Sequence, residues 1–170
     1  IIGWIGTPYT FKYVVEYLPL FMKLSQEQNV VFHFCGAGSK LIDCENFVNI
    51  CWNVENEFFF LSEIDIGIMP LVDNYFERGK CGYKLLQYMS FCKPVIASPV
   101  GVNNEIIDHG YNGYLCNSLI EWENSLKKLI SNEELRGKMG QHGKTKIESS
   151  YSSSIYLNTV YNLIQDINMS

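Results

Sequence analysis

The sequence predicts a doubly wound α/β fold, a Rossmann-like parallel sheet with helices on both faces. Short, almost wholly apolar runs recur along the chain, and segments with helical apolar spacing separate them. Parallel strands buried on both faces read as such continuous runs, and helices between them supply the crossovers. A third observation concerns function. Glycine-rich or cationic loops follow three of the runs, and in such sheets ligands sit outside the carboxyl ends of the strands.

IIGWIG (1–6) reads as the first strand. Phe11, Val14, Val15, Leu18, Phe21 and Met22 then recur at helical spacing, with Thr10 as the N-cap candidate and Lys12 in the first turn. Pro19 is expected to kink that helix or mark its last portion. VVFHFC (30–35) is the second strand and ends in Gly36-Ala37-Gly38; FVNICW (47–52) is the third. Asn53 is placed as an N-cap, with Glu55 and Glu57 in the first turn of a short helix, where acidic groups complement the dipole. IGIMPL (66–71) is the fourth strand and stops at Pro70. PVIASP (94–99) is the next, followed by a turn at Gly101, a short helix over 105–109, and GYLC (113–116). Two helices close the chain. Ser131-Asn132-Glu133-Glu134 reads as a capping box for one of them. The last spans about 152–167, with a stripe of Leu157, Val160, Tyr161, Ile164 and Ile167.

At 170 residues, 47% hydrophobic and 18% charged, the chain is long and apolar enough for one well-packed domain. A net charge of -5 and a pI near 5.2 argue against a nucleic-acid binder, which needs a broad basic face. The longest apolar run, 64–72, is broken by Asp65, Gly67 and Pro70, well short of a bilayer span. Six cysteines show neither a CxxC pair nor metal-ligand spacing with the three histidines, so reduced thiols in a cytosolic protein are expected. The chain opens at Ile1 inside a strand-like run, without initiator Met or signal peptide, as a piece of a longer protein would.

Three loops carry candidate chemistry. After the first strand, Gly6-Thr7-Pro8-Tyr9-Thr10 leads into a helix bearing Lys12; this suits a phosphate, or is a plain strand-to-helix turn with a solvated lysine. Gly36-Ala37-Gly38 lets a flat ring approach the backbone, though GxG alone is a weak signal. The third loop, ERGKCGYKLLQYM (77–89), is more specific. It sets Arg78, Lys80 and Lys84 against Glu77 in an acidic chain, and Gly79 and Gly82 are expected to give the backbone a tight path. Leu85, Leu86 and Met89 pack inward, while Lys84 and Gln87 share the other face of a helix starting near Tyr83. Such a loop at a strand's carboxyl end favours an anion site, with a diphosphate as the natural guest.

GIMPL…ERGKCGYKLLQYMSFCKPVIASPVGVNNEII…GYNGYL closely resembles the donor-binding, C-terminal half of GT-B glycosyltransferases of family 4, the retaining type. The spacing holds from Ile2 to about Tyr151. The resemblance implies a hexosyltransferase-type enzyme that uses a nucleotide diphosphate sugar as donor substrate, with no metal or other cofactor. Its acceptor, a cell-surface polysaccharide or glycolipid precursor, would be held by a separate N-terminal domain absent here. No nucleic-acid partner is implied, and localisation is expected to be cytoplasmic, with peripheral membrane association of the full-length protein.

Carried over by position, the family's first-loop lysine falls on Lys12, and Thr7 stands where it has arginine. Its paired glutamates fall on Gly79 and Gln87. Gln87 keeps the hydrogen-bonding capacity for ribose hydroxyls, whereas Gly79 offers no side chain for the sugar contact. Lys12, Arg78 and Lys80 would stabilise the leaving diphosphate. The implied donor-binding positions are Gly6 and Thr7 after the first strand, Gly36, Gly38 and Trp52 near the base, and Pro70 after the fourth. In the third loop they are Glu77, Gly79, Cys81, Gly82, Tyr83, Lys84, Leu85 and Gln87. Two rivals stay open: a non-catalytic nucleotide-binding module, and a nucleotide-sugar 2-epimerase of the same fold, for which His109 is too isolated.

Overall fold

The computed structural model describes residues 1–38 and 44–153 and, beyond them, Ile155, Leu157, Tyr161 and Ile164. Its strands are β1 (Ile2–Ile5), β2 (Phe32–Cys35), β3 (Phe47–Ile50), β4 (Ile66–Met69), β5 (Val95–Ala97) and β6 (Gly113–Leu115). They form one parallel sheet in the order β3-β2-β1-β4-β5-β6. The helices are α1 (Pro8–Val15), α2 (Leu18–Gln28), α3 (Val54–Glu63), α4 (Tyr75–Arg78), α5 (Tyr83–Ser90), α6 (Asn103–Ile106), α7 (Leu119–Ile130) and α8 (Glu133–Ser150).

Alternation along each strand explains the two layers of helices. Ile2, Trp4, Phe32, Phe34, Ile66, Ile68 and Ile96 point into one core, shared with α1, α2 and α7. Ile5, Cys35, Met69, Val95 and Ala97 point into the other, shared with α3, α5 and α6. Both faces are therefore apolar, which is why the strands carry no polar period.

The order reverses between β1 and β4, whose pairing covers only Ile2↔Ile66 and Gly3↔Gly67. Beyond that point Tyr88 fills the gap. Its buried hydroxyl accepts from the Ile5 N–H at 2.9 Å and donates to the Ile68 carbonyl at 3.3 Å. These backbone groups would otherwise be buried without partners, at a cost of about 1–3 kcal/mol each. α8 lies against α5 at Gly140, where a Cβ would stand 1.8 Å from the Cys92 carbonyl oxygen. Only a glycine allows that approach.

Several local expectations need correction. One helix was expected across Phe11 to Met22, but the chain breaks at Glu16–Tyr17, and Pro19 sits in the first turn of α2, where its missing N–H costs nothing. The N-cap of α1 is Thr7; Thr10 lies three residues on, and its hydroxyl accepts from the Thr7 N–H at 3.1 Å. The short helix expected over 105–109 is α6, and His109 lies beyond it, its Nδ1 accepting from the Leu115 N–H. The cap of α8 is Asn132, which accepts from the Leu135 N–H, while Ser131 ends α7. A reciprocal box occurs instead at Ser118 and Glu121. Of the expected last helix, Ile155, Leu157, Tyr161 and Ile164 are helical and exposed; Val160 and Ile167 lie outside the described residues.

Candidate functional site

A cavity of about 710 Å³ opens at the carboxyl ends of β1, β2 and β4, beside the reversal point. Ile5, Gly6, Gly36 and Met69 form its floor. α1 presents Thr7, Pro8 and Thr10 from its first turn, and α5 presents Gly82, Tyr83 and Lys84 from its own. Trp52, Glu57, Gly79, Lys80, Cys81 and Gln87 complete the wall. The first N–H groups of a helix lack intrahelical partners and carry partial positive charge, so the α5 end favours an anion; α1 adds less, because Pro8 has no N–H and the Thr10 N–H bonds the Thr7 carbonyl at 2.9 Å. The α5 end depends on Gly82: its φ is 69°, and a Cβ there would stand 2.4 Å from Ile106 Cδ1.

The predicted cations divide into two groups. Lys80 and Lys84 line the cavity, and among its described lining residues they are the only positive side chains. Burial and then the neighbouring Lys80 charge push the Lys84 ammonium down to about 8. Arg78 turns away: its guanidinium donates to both Asp73 carboxylate oxygens, at 2.6 and 2.9 Å, on the exposed surface. Lys12 stands over the Tyr9 and Tyr13 rings, 4.2 and 4.9 Å from their centroids, and is not among the lining residues. Arg78 is thus paired on the exposed surface, whereas Lys12, off the wall, shares the Tyr13 ring with Lys80, whose Nζ stands 5.1 Å from its centroid.

Glu77 is a further correction. It was expected to touch the donor, but it is 1% exposed. Lys80 Nζ pairs with it at 2.5 Å, without hydrogen-bond geometry, and the Tyr13 hydroxyl donates to its other oxygen. Burial raises the Glu77 carboxyl, but Lys80 and Tyr13 outweigh burial and hold it below its ordinary value. Glu77 therefore anchors the lysine that faces the cavity. Gly79 lies on the wall in a right-handed conformation, so its glycine does not serve the expected tight turn; a Cβ there would meet only the Phe76 carbonyl oxygen, at 3.5 Å. Pro70 and Leu85 are buried and off the wall, and Gly38 packs against Pro8.

Gln87 does reach the cavity, but not as a free amide. Its Nε2 donates to Glu57 Oε1 at 2.6 Å, and Trp52 Nε1 donates to Glu57 Oε2 at 2.5 Å. The sequence placed Glu57 only in a helical first turn. Nothing in its spacing points to a partner 30 residues on. α4 was also missed, although Asn74 caps it by accepting from the Glu77 N–H at 3.0 Å, a pattern visible as Asn-x-x-Glu.

Among the described residues no group of three or more His, Cys, Asp or Glu side chains could hold a metal, and no helix is long and apolar enough to cross a membrane.

The fold has close counterparts of known structure. The C-terminal domain of a glycosyl transferase group 1 family protein from Francisella tularensis superposes with a TM-score of 0.69 at 21% identity, covering 89% of this chain and 86% of that one. Anabaena HepE, in complex with UDP and glucose, gives 0.77 at 12% identity over 96% of this chain and 47% of its own. In sequence, an uncharacterized glycosyltransferase of Methanocaldococcus jannaschii is 27% identical over 161 residues, 87% of this chain and 40% of that protein. The N-acetyl-alpha-D-glucosaminyl L-malate synthase of Bacillus anthracis is 25% identical over 166 residues, 91% of this chain and 43% of the enzyme. The chain thus spans about two fifths of these relatives' lengths. The family model for glycosyl transferases group 1 matches residues 1–132. The chain belongs to that family, with the architecture of a GT-B C-terminal domain.

Proposed function

We propose that this chain is the donor-binding domain of a retaining, family 4 glycosyltransferase and holds a nucleotide diphosphate sugar. The observation that carries this is the meeting of Lys80, Lys84 and the first turns of α1 and α5 around one cavity at the β1–β4 reversal. In transfer the bond from the sugar's anomeric carbon to the diphosphate oxygen breaks with its electron pair leaving on that oxygen, while an acceptor hydroxyl oxygen bonds the same carbon from the same face and gives its proton to the departing diphosphate. Preorganised cations and N–H dipoles stabilise that charge where it develops, in a half-buried site where each counts for more than in water. Trp52, 55% exposed at the end of β3, offers a face to the base. The UDP and glucose in the Anabaena structure and the sugar in the Bacillus enzyme's name support a donor of this class.

The whole enzyme would transfer a hexose, on the cytoplasmic side and without an essential metal, to a cell-surface polysaccharide or glycolipid precursor held by an N-terminal domain. Calorimetric titration of the chain with uridine, guanosine and adenosine diphosphates tests the binding step. At least one should bind in the micromolar range and compete with inorganic pyrophosphate. Failure of all three at millimolar concentration would overturn the assignment.

A further inference from the structure

Among the described residues that line the cavity, Glu57 is the only carboxylate. A negative group in a cleft suited to an anion calls for a partner that wants an acceptor. Its two oxygens already hold Trp52 and Gln87, and each carboxylate oxygen offers about two lone-pair directions, so one on each stays open. Its position in the fold narrows what that partner is. Trp52 follows β3 at one side of the cavity, while Lys80 and Lys84 belong to the loop and helix after β4. Adjacent strands lie roughly 4.8 Å apart, so the ends of β3 and β4 that lead into these features are three strand steps, roughly 14 Å, apart. α3 packs on β2 and β1, and α5 on β4, so the Glu57–Gln87 bond bridges the two helices between those ends.

We propose that Glu57 recognises the ribose of the donor, its carboxylate accepting from the vicinal 2′- and 3′-hydroxyls. Gln87 then acts by holding Glu57 in place and presenting its own carbonyl oxygen. This rests on the nucleoside diphosphate assignment above. It moves the charged ribose contact from the position the family resemblance indicates, Gln87, to α3. An ionised acceptor makes hydrogen bonds roughly twice as strong as a neutral one, so the Glu57 carboxylate supplies the stronger contact beside the neutral Gln87 amide.

The test is calorimetry on the full chain with ribonucleoside diphosphates, their 2′-deoxy forms and inorganic pyrophosphate. The unsubstituted protein should prefer the ribo form by about tenfold or more. Glu57→Gln should cut that preference to within about threefold and leave pyrophosphate affinity unchanged. Glu57→Asp, which withdraws the carboxylate by one methylene, should lose the same preference and serves if the glutamine variant does not fold. An unchanged preference, or equal losses for ribo and deoxy forms, would overturn the inference and leave Glu57 as a support for Trp52. Pyrophosphate binding with no nucleoside diphosphate binding in the unsubstituted protein would overturn the nucleotide assignment itself.

Discussion

Lys12 and Lys84 both lie near the start of a helix that follows a strand of the same sheet, yet only Lys84 reaches the cavity. The difference is helical position. Lys84 is the second residue of α5, so its side chain looks back over the N-terminal end. Lys12 is the fifth residue of α1, more than one 3.6-residue turn along, and it finds the Tyr9 and Tyr13 rings instead. Arg78 and Lys80 repeat the contrast: Arg78 ends α4 and pairs with Asp73, while Lys80, just past the helix, turns to the cavity over Glu77. An anion site at a helix end is built from the first turn and the loop before it. A cation one turn further belongs to the surface.

The sharpest way to break this contrast is Lys80→Met, which also removes the cation from a buried carboxylate. Breaking a fully buried pair costs about 3–5 kcal/mol. Lys80 is 22% exposed, so a loss of about 2 kcal/mol is expected in denaturant unfolding, along with weaker diphosphate binding. Adding Glu77→Gln should recover much of the stability but none of the binding. A loss of stability under ~0.5 kcal/mol would mean that Glu77 does not need its partner. A lysine on a surface loop, as the sequence alone presents Lys80, would have been expected to show that small value.

Next in size is a pH effect. Lys84 has its pKa pushed below the ordinary 10.5, to about 8. The unfolded chain therefore holds a proton there between about pH 8 and 10.5 that the folded chain has released, and this group adds stability as pH rises through that window. Diphosphate binding needs the charged form, so affinity should fall above about pH 8, with proton uptake on binding. Lys84→Met should lower affinity and flatten the pH profile above 8. A profile with the same slope in the variant would assign the titration elsewhere.

Smaller still, Gln87→Ala should weaken a ribonucleoside diphosphate by about 1 kcal/mol and leave pyrophosphate unaffected, since the amide acts only at the ribose end. Smallest are Lys12→Met and Arg78→Met, which should leave both melting temperature and diphosphate affinity within error.

The central strands β1, β4 and β5 were legible because they are buried on both faces, so apolar runs such as IGIMPL mark them; edge strand β3, with Val48 and Asn49 exposed, was read from its Phe, Val and Ile alone. The order of the helices followed. What escaped was set by contacts between distant segments. The Glu77 cluster needs Tyr13, 64 residues earlier, and the Glu57 cluster joins α3 to α5. Proximity in sequence gathered Arg78, Lys80 and Lys84 into one group; the end of α4 then sent Arg78 the other way. Local turn chemistry misled at Ser131, where the neighbouring Asn132 caps α8 and Ser131 closes α7.

Affinity for one nucleoside diphosphate, measured by calorimetry at pH 7 across four single variants, tests the division of the cations most directly. Lys80→Met and Lys84→Met should each weaken binding by about tenfold or more, the scale of losing one charge-assisted contact. Lys12→Met and Arg78→Met should match the unsubstituted protein. Losses at Lys12 or Arg78 as large as those at Lys80 and Lys84 would contradict the account, because the diphosphate would then lie where this structure places no cavity wall.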